Sequence, residues 1–348
     1  MADIMITGGA GFIGCAVANH HLQKGDKVTV FDNLSRKGTP YNLAWLQAQP
    51  GAEALKIVQG DIRDSEAMSQ AITSSVERVY HLAGQVAVTT SVVDPREDFE
   101  INALGTFNVL EAVREKAPSA IVFYSSTNKV YGGLEGRTVE EGPTRYSLAD
   151  RPQGIAEDEP LDFHSPYGCS KGCGDQYVRD YARMYGLRTV VFRQSCIYGT
   201  RQFGVEDQGW VAHFCLATKF ARPLKIYGNG KQVRDLLFIE DLVAAYEAAA
   251  QHIEITSGQV YNVGGGPEYT LSIWKEFGPM LEHLYGSPPP VSLEAWRPGD
   301  QPIYISDIRK AKRDFGWEPQ VSVSDGLKKL WAWIEENEDL LRETFGRS

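Results

Sequence analysis

The chain of 348 residues is long enough for one large or two modest domains with a substantial core. Its 35 Lys and Arg against 45 Asp and Glu leave a net charge of -10, which excludes a general polyanion binder and predicts no nucleic-acid partner. No run approaches the roughly 20 apolar residues of a membrane span, and the N-terminus enters a strand without a basic, then apolar, leader, so no membrane partner is expected. Cys15, Cys169, Cys173, Cys196 and Cys215 lack the Cys-x-x-Cys spacing of a zinc site, which reads as reduced thiols in a cytoplasmic protein with no bound metal. There is no repeat or low-complexity tract; Pro288-Pro289-Pro290 is the conspicuous stiff connector.

Ile4-Met5-Ile6 is a short apolar strand entering Thr7-Gly8-Gly9-Ala10-Gly11-Phe12-Ile13-Gly14, and residues 15–24 read as a helix. Glycines at 8, 11 and 14 permit a tight turn, approach of a pyrophosphate to backbone N–H groups, and close helix–strand packing. Strand, turn and helix in that order predict a dinucleotide site that includes Phe12 and Ile13. A second strand, 27–31, ends at Asp32 and Asn33, where a carboxylate accepts from the adenosine ribose and repels a 2′-phosphate, favouring NAD; Arg36 nearby keeps NADP in play.

The alternation continues through a strand at 55–59 followed by Asp61-Ile62, where the adenine amine can meet Asp61. A strand at 78–82 then ends in His81-Leu82-Ala83-Gly84. Leu82, Ala83 and Gly84 allow backbone to approach the cofactor, whereas His81 reads as a packed histidine. A helix over 95–115 precedes a strand at 121–124 that delivers Ser125, Ser126 and Thr127 to the same carboxyl edge. The fold class predicted is α/β, a doubly wound parallel (Rossmann) sheet with its ligand along that edge.

Tyr167 and Lys171 stand four residues apart where a helix begins, so Lys171 is expected beneath the phenol. An ammonium there favours phenolate and lowers a phenol pKa that is ordinarily about 10, giving a base that works near neutrality.

The Gly8 to Gly14 loop, Asp32, Asp61, Thr127 after a strand, and Tyr167 with Lys171 together resemble the extended short-chain dehydrogenase/reductase superfamily, whose members modify nucleotide-sugars. The resemblance runs from residue 4 to about 333. It implies that Thr127 and Tyr167 hold the reacting sugar hydroxyl, and that Lys171 binds the nicotinamide ribose and depresses the tyrosine's pKa. Within the superfamily, sugar 4,6-dehydratases carry Thr-Asp-Glu-Val-Tyr-Gly after this strand, because elimination of water needs an acid and a base. This chain has Thr127-Asn128-Lys129-Val130-Tyr131-Gly132, which argues against dehydration and is similar to the CDP-tyvelose (CDP-paratose) 2-epimerase group. Leu161-Asp162-Phe163-His164-Ser165-Pro166-Tyr167, Arg201-Gln202-Phe203, Asp207-Gln208-Gly209-Trp210-Val211 and the stretch from Gly228 to Asp235 point the same way.

After a strand at 189–193 the alternation breaks down, and the loops of 199–210 are the expected place for substrate contacts, with Gln208 and Trp210 as candidates. Cys196 stands where many relatives have a phosphate-contacting asparagine. The resemblance assigns Arg234 and Arg297, in Trp296-Arg297-Pro298-Gly299-Asp300, to the nucleotide diphosphate, a task that suits a guanidinium fork, and Asp300 to the substrate ribose. Asn128 and Lys129 are candidates for the sugar pocket, and His164 is either a contact to substrate or cofactor or a residue packed under its loop.

The expected organisation is an NAD-binding domain over 1–195, to which about 236–264 returns through a helix at 237–251 and a strand at 259–263. A smaller interleaved nucleotide-sugar lobe occupies 196–348, closed by helices in 307–334. The resemblance implies an isomerase with tightly bound NAD that oxidises C2 of a CDP-hexose, lets the 2-keto sugar turn, and returns the hydride to the opposite face. The substrates expected are CDP-paratose and CDP-tyvelose, or CDP-glucose and CDP-mannose. The rivals are a UDP-sugar 4-epimerase and a non-catalytic NAD-binding sensor or scaffold. Relatives often pair through helices of the first domain, so a homo-oligomer, dimer or tetramer, is expected here.

Overall fold

The computed structural model describes residues 1–205, 208–286, 289–297 and 300–346. In chain order the first part runs β1 (Asp3–Thr7), α1 (Phe12–Gln23), β2 (Lys27–Asp32), α2 (Thr39–Gln47), β3 (Leu55–Gln59), α3 (Ser65–Ala71), β4 (Arg78–His81), α4 (Val88–Val93), α5 (Pro95–Phe99), a π-helical turn (Glu100–Leu104), α6 (Gly105–Lys116) and β5 (Ile121–Thr127). A small hairpin, β6 (Val139–Glu141) and β7 (Tyr146–Leu148), precedes α7 (Ser165–Tyr185), β8 (Arg188–Gln194) and β9 (Cys196–Tyr198). The later part holds α8 (Trp210–Lys219), β10 (Leu224–Tyr227), β11 (Val233–Phe238), α9 (Ile239–Gln251), α10 (Ile253–Thr256) and β12 (Gln259–Val263). It ends with β13 (Thr270–Ser272), α11 (Phe277–Tyr285), β14 (Val291–Glu294), β15 (Ile303–Tyr304), α12 (Arg309–Phe315), α13 (Val323–Glu336) and α14 (Glu338–Gly346).

Seven parallel strands form the main sheet in the order β3-β2-β1-β4-β5-β8-β12, so the strand order reverses direction between β1 and β4. Strand periodicity of two serves both faces. Ile4, Ile6, Phe123 and Phe192 pack into one layer with α1, α9 and α12, while Met5, Val122, Tyr124 and Val191 pack into the other with α3, α6 and α7. Both faces are covered, as a parallel sheet requires. The lobe is built around β11, which pairs with β9 and β15 in parallel and with β13 antiparallel, while β10 pairs with β14. Because β12 pairs with β8, the chain re-enters the first sheet after leaving it.

Two elements differ from the sequence reading. The helix expected over 95–115 is interrupted by the π-helical turn Glu100–Leu104, and the helix expected from residue 237 begins at Ile239 because Leu237 and Phe238 finish β11. An apolar run buried on all sides does not reveal where strand ends and helix starts. Asp207, Pro288, Pro298 and Gly299, which belong to stretches singled out in the sequence, lie outside the described residues. All five cysteines are unpaired, and no helix among the described residues is long and apolar enough to cross a membrane.

Candidate active site

The cleft lies where the strand order reverses, at the carboxyl edge of the sheet, which is where such sheets bind ligands. Gly8 takes the left-handed conformation (φ +70°), and a Cβ on it would fall 2.7 Å from the amide nitrogen of Ala83. A Cβ on Gly14 would fall 2.2 Å from the Gly8 carbonyl, so the turn closes onto α1 only without side chains. Gly11 caps α1 with no side-chain hydrogen bond and no acidic residue follows in the first turn, so the N–H groups beside Phe12 and Ile13 are a seat for an anion.

Asp32 is oriented by the backbone N–H groups of Ala10 (3.0 Å) and Leu34 (2.8 Å), and burial raises its carboxyl above the usual range. Asn33 donates to Asp61 at 3.1 Å. Arg63 donates to both oxygens of Asp61, at 3.0 and 2.8 Å, and holds it down at about 2. Ile62 is buried against Gly105, and its carbonyl accepts from Asn108 at 3.0 Å. Leu82 N–H donates to the Thr7 carbonyl, which brings Leu82, Ala83 and Gly84 beside the glycine turn. A turn that only glycine allows, an open helix amino end and an oriented carboxylate fit a dinucleotide such as NAD. His81 is a packed histidine, buried between Thr7 (2.8 Å) and Thr106 (2.9 Å), and burial drives it to about 3.

Tyr167 and Lys171 lie on the first turns of α7, both buried, facing the end of β5 with Ser125 and Thr127. Burial is the largest influence on both. Burial pushes the Tyr167 phenol up to about 12; Asp98 adds to this, while the Thr127 hydroxyl and the Arg36 guanidinium oppose it. The Lys171 ammonium sits over the Tyr124 ring, 4.3 Å from its centroid, and burial pulls it down to about 7 against Asp175 and Asp98. Burial thus dominates both groups, and Thr127 and Arg36 are what draw the phenol down.

Beneath this pair lies a polar knot that the sequence reading missed. Asn102, set by the π-helical turn, donates to the Gln85 carbonyl (3.0 Å), to Asp98 (3.2 Å) and to Ser170 (3.1 Å). Gln85 also donates to Asp98 at 3.0 Å. One signal was available: Asp98, Asn102 and Thr106 recur every four residues, a polar stripe on the buried side of a helix. On the far side of α7, Asp175 accepts from Ser126 (2.8 Å) and from two nitrogens of Arg193 (2.8 and 3.0 Å), an ion pair buried at 0% and 2% exposure.

On the substrate side, Thr127 accepts from the Lys129 N–H at 3.2 Å. The Asn128 side chain donates to Gln301 of the lobe (3.4 Å) and so ties two loops. Gln301 was not anticipated; fully buried, it bonds the Gly132 carbonyl and accepts from Arg234 at 2.8 Å through its own carbonyl. Burial and the charge of Arg234 bring the half-buried Lys129 down to about 8, with Asp300 and Cys196 opposing, so these four groups share one neighbourhood. Arg297 stacks over Tyr227 at 3.7 Å. Trp210 packs on Phe277 and donates to Cys196 at 3.4 Å, and Gln208 bonds Arg36. His164 is half exposed and stands between Asp162 (3.1 Å) and Glu135 (3.6 Å).

A seven-stranded doubly wound sheet with a glycine cradle, and a helix that brings a tyrosine and a lysine to its edge, define an extended short-chain dehydrogenase/reductase. The chain matches the family described as GDP-mannose 4,6 dehydratase over residues 5–330 and belongs to it, and so is an enzyme. It is similar to a CDP-paratose 2-epimerase of Salmonella typhi, 45% identical over 336 residues that span 95% of this chain and 98% of that protein. Among solved structures it resembles a UDP-glucuronic acid 4-epimerase of Bacillus cereus in complex with UDP-glucuronic acid and NAD (27% identity, TM-score 0.82, 96% and 99% of the chains). It also resembles a dTDP-glucose 4,6-dehydratase of Streptomyces venezuelae with NAD and TYD bound (28% identity, TM-score 0.82, 98% and 99%).

Proposed function

We propose that the chain is an NAD-dependent 2-epimerase of CDP-hexoses, converting CDP-paratose to CDP-tyvelose, with CDP-glucose and CDP-mannose as the nearest analogues. The class, a nucleotide-sugar epimerase that uses NAD, follows from the family and from relatives solved with NAD. The observation that carries the finer reading is the 45% identity to a CDP-paratose 2-epimerase, together with Asn128 and Lys129 where a dehydratase needs carboxylates.

NAD supplies a hydride acceptor and a positive ring charge beside Tyr167, and ends the cycle unchanged. Tyr167 takes the proton of the C2 hydroxyl as the C2–H bond gives up its hydride, leaving a 2-keto sugar. Thr127 steers that hydroxyl from the end of β5. Lys171, with Asp98 and Asp175 to favour its ammonium, binds the nicotinamide ribose and stabilises the phenolate. After the hexose turns, the hydride returns to the other face of C2 and Tyr167 gives its proton back. Arg234, Arg297 and Asp300 hold the nucleotide while the sugar moves, with Lys129 beside them. Asp32 and the glycine turn hold the dinucleotide.

Purified protein is incubated with CDP-glucose or UDP-glucose, and the configuration at C2 and C4 is read by NMR. Inversion at C2 of the CDP-sugar is expected; inversion at C4 of the UDP-sugar instead identifies a 4-epimerase. Turnover in heavy water should leave C2 free of deuterium, and its appearance there would favour enolisation. The assembly proposed is a homodimer through α5, α6 and α7, where Phe99, Phe107, Tyr177, Met184 and Tyr185 stay 57%, 39%, 45%, 68% and 56% exposed. Light scattering should give twice the chain mass, and Met184→Asp with Phe99→Asp should halve it.

A further inference from the structure

Arg36 takes no part in the reaction as described, yet its guanidinium bonds groups on both sides of the cleft. It stands in the loop after β2, four residues beyond Asp32. In the main sheet β1 lies between β2 and β4, and the turn from Gly8 to Gly14 follows β1. A side chain that leaves the end of β2 and reaches the end of β4 therefore crosses above that turn. Arg36 does so: Nη2 donates to the Gly84 carbonyl, just past β4, at 3.3 Å. Nη1 donates to the side chain of Gln208, in the loop that enters α8 of the lobe. Its charge also bears on the Tyr167 phenol.

The seat below it offers backbone N–H groups at the amino end of α1 but no cationic side chain in that helix's first turn. A diphosphate placed there has outward oxygens to pair, and a planar guanidinium pairs two at once. Asp32 takes its hydrogen bonds from the N–H groups of Ala10 and Leu34, and Arg36 feels its charge without bonding it, so the guanidinium's own hydrogen bonds go to Gly84 and Gln208.

We propose that Arg36 closes over the diphosphate of the dinucleotide and, through Gln208, latches the cofactor half of the cleft to the substrate lobe. The inference rests on the NAD-dependent reading. An enzyme that takes a hydride and gives it back must keep one dinucleotide through both half-reactions, since loss between them strands a keto sugar. Retention of that kind is a matter of dissociation rate.

The test follows NAD release. Wild-type, Arg36→Leu, Arg36→Lys and Gln208→Ala holoproteins are diluted into a scavenging NADase, and the NAD still bound is read in acid extracts over time. Loss of a charge-assisted contact predicts release about 30-fold faster for Arg36→Leu and about 5-fold faster for Gln208→Ala, with Arg36→Lys between Arg36→Leu and wild type. Wild-type release from Arg36→Leu overturns the diphosphate contact, and wild-type release from Gln208→Ala overturns the latch; the NAD reading survives both. Wild-type protein that neither carries NAD nor binds it on addition removes that reading and the latch together.

Discussion

On the cofactor side of the cleft the contacts stand on strand ends and on one helix amino end, whereas on the substrate side Lys129, Arg234 and Asp300 come from a short turn, a lobe strand and a loop. Backbone conformation shapes the first side, where Gly8 and Gly14 admit no side chain and Asp32 is fixed by two N–H groups. Buried charge shapes the second, where an ammonium and a guanidinium share a neighbourhood with one carboxylate. The difference fits what each side holds in the proposed reaction. A cofactor that returns to its starting state is served by a rigid mould, while a sugar that must turn is gripped at its charged end and left free elsewhere.

The largest expected effect breaks the chemistry without touching either mould. Tyr167→Phe should lower kcat by about 10³-fold, the contribution of a positioned acid–base group, while the NAD content of the purified protein stays that of the wild type. Nearly intact turnover would remove Tyr167 as the base.

Next comes the strut under the cofactor side. Asp175→Ala leaves the Arg193 guanidinium buried without its carboxylate, with Tyr131 as its remaining acceptor, which should cost about 3–5 kcal/mol in urea unfolding.

Lys171→Met tests what the site itself costs. The folded-state pKa of Lys171 is depressed to about 7 from 10.5, so between these pH values the unfolded chain binds more protons and stability rises with pH. The burden is thus full below about pH 7 and fades towards 10.5. The variant should be inactive yet more stable at pH 6, by on the order of 2 kcal/mol, with the gain shrinking by pH 10.

The smallest effect probes the substrate side. Lys129, facing Arg234, Asp300 and Cys196, loses its charge around pH 8. KM should then rise about tenfold from pH 7 to 9, and Lys129→Met should abolish the step. A KM that keeps its rise in the variant would assign the step to another group.

The mould was legible in the sequence because it needs particular residues in consecutive order: glycines at 8, 11 and 14 between a strand and a helix, then an acid after the next strand. The knot and the struts were not, because their partners are distant along the chain. Asn102 and Ser170 are 68 residues apart, and Asn128 and Gln301 are 173 apart. The tyrosine–lysine spacing could be read for two groups on α7 but not for how deeply they are buried, since spacing conveys proximity but not desolvation. Arg36 was visible only as an ambiguity about a ribose phosphate; its reach depends on which strands flank β1, which is a property of topology.

The π-helical turn Glu100–Leu104 has a consequence for anyone redesigning this scaffold. A wider turn takes up one residue more than regular helix would, and this surplus offsets the drift that separates positions four apart. Asp98, Asn102 and Thr106 thereby keep facing the same interior. Deleting one residue there would give a tidier helix by every local rule and would swing Asn102 away from Gln85 and Ser170. The irregularity is a spacer, and its removal would improve the element while dismantling what the element supports.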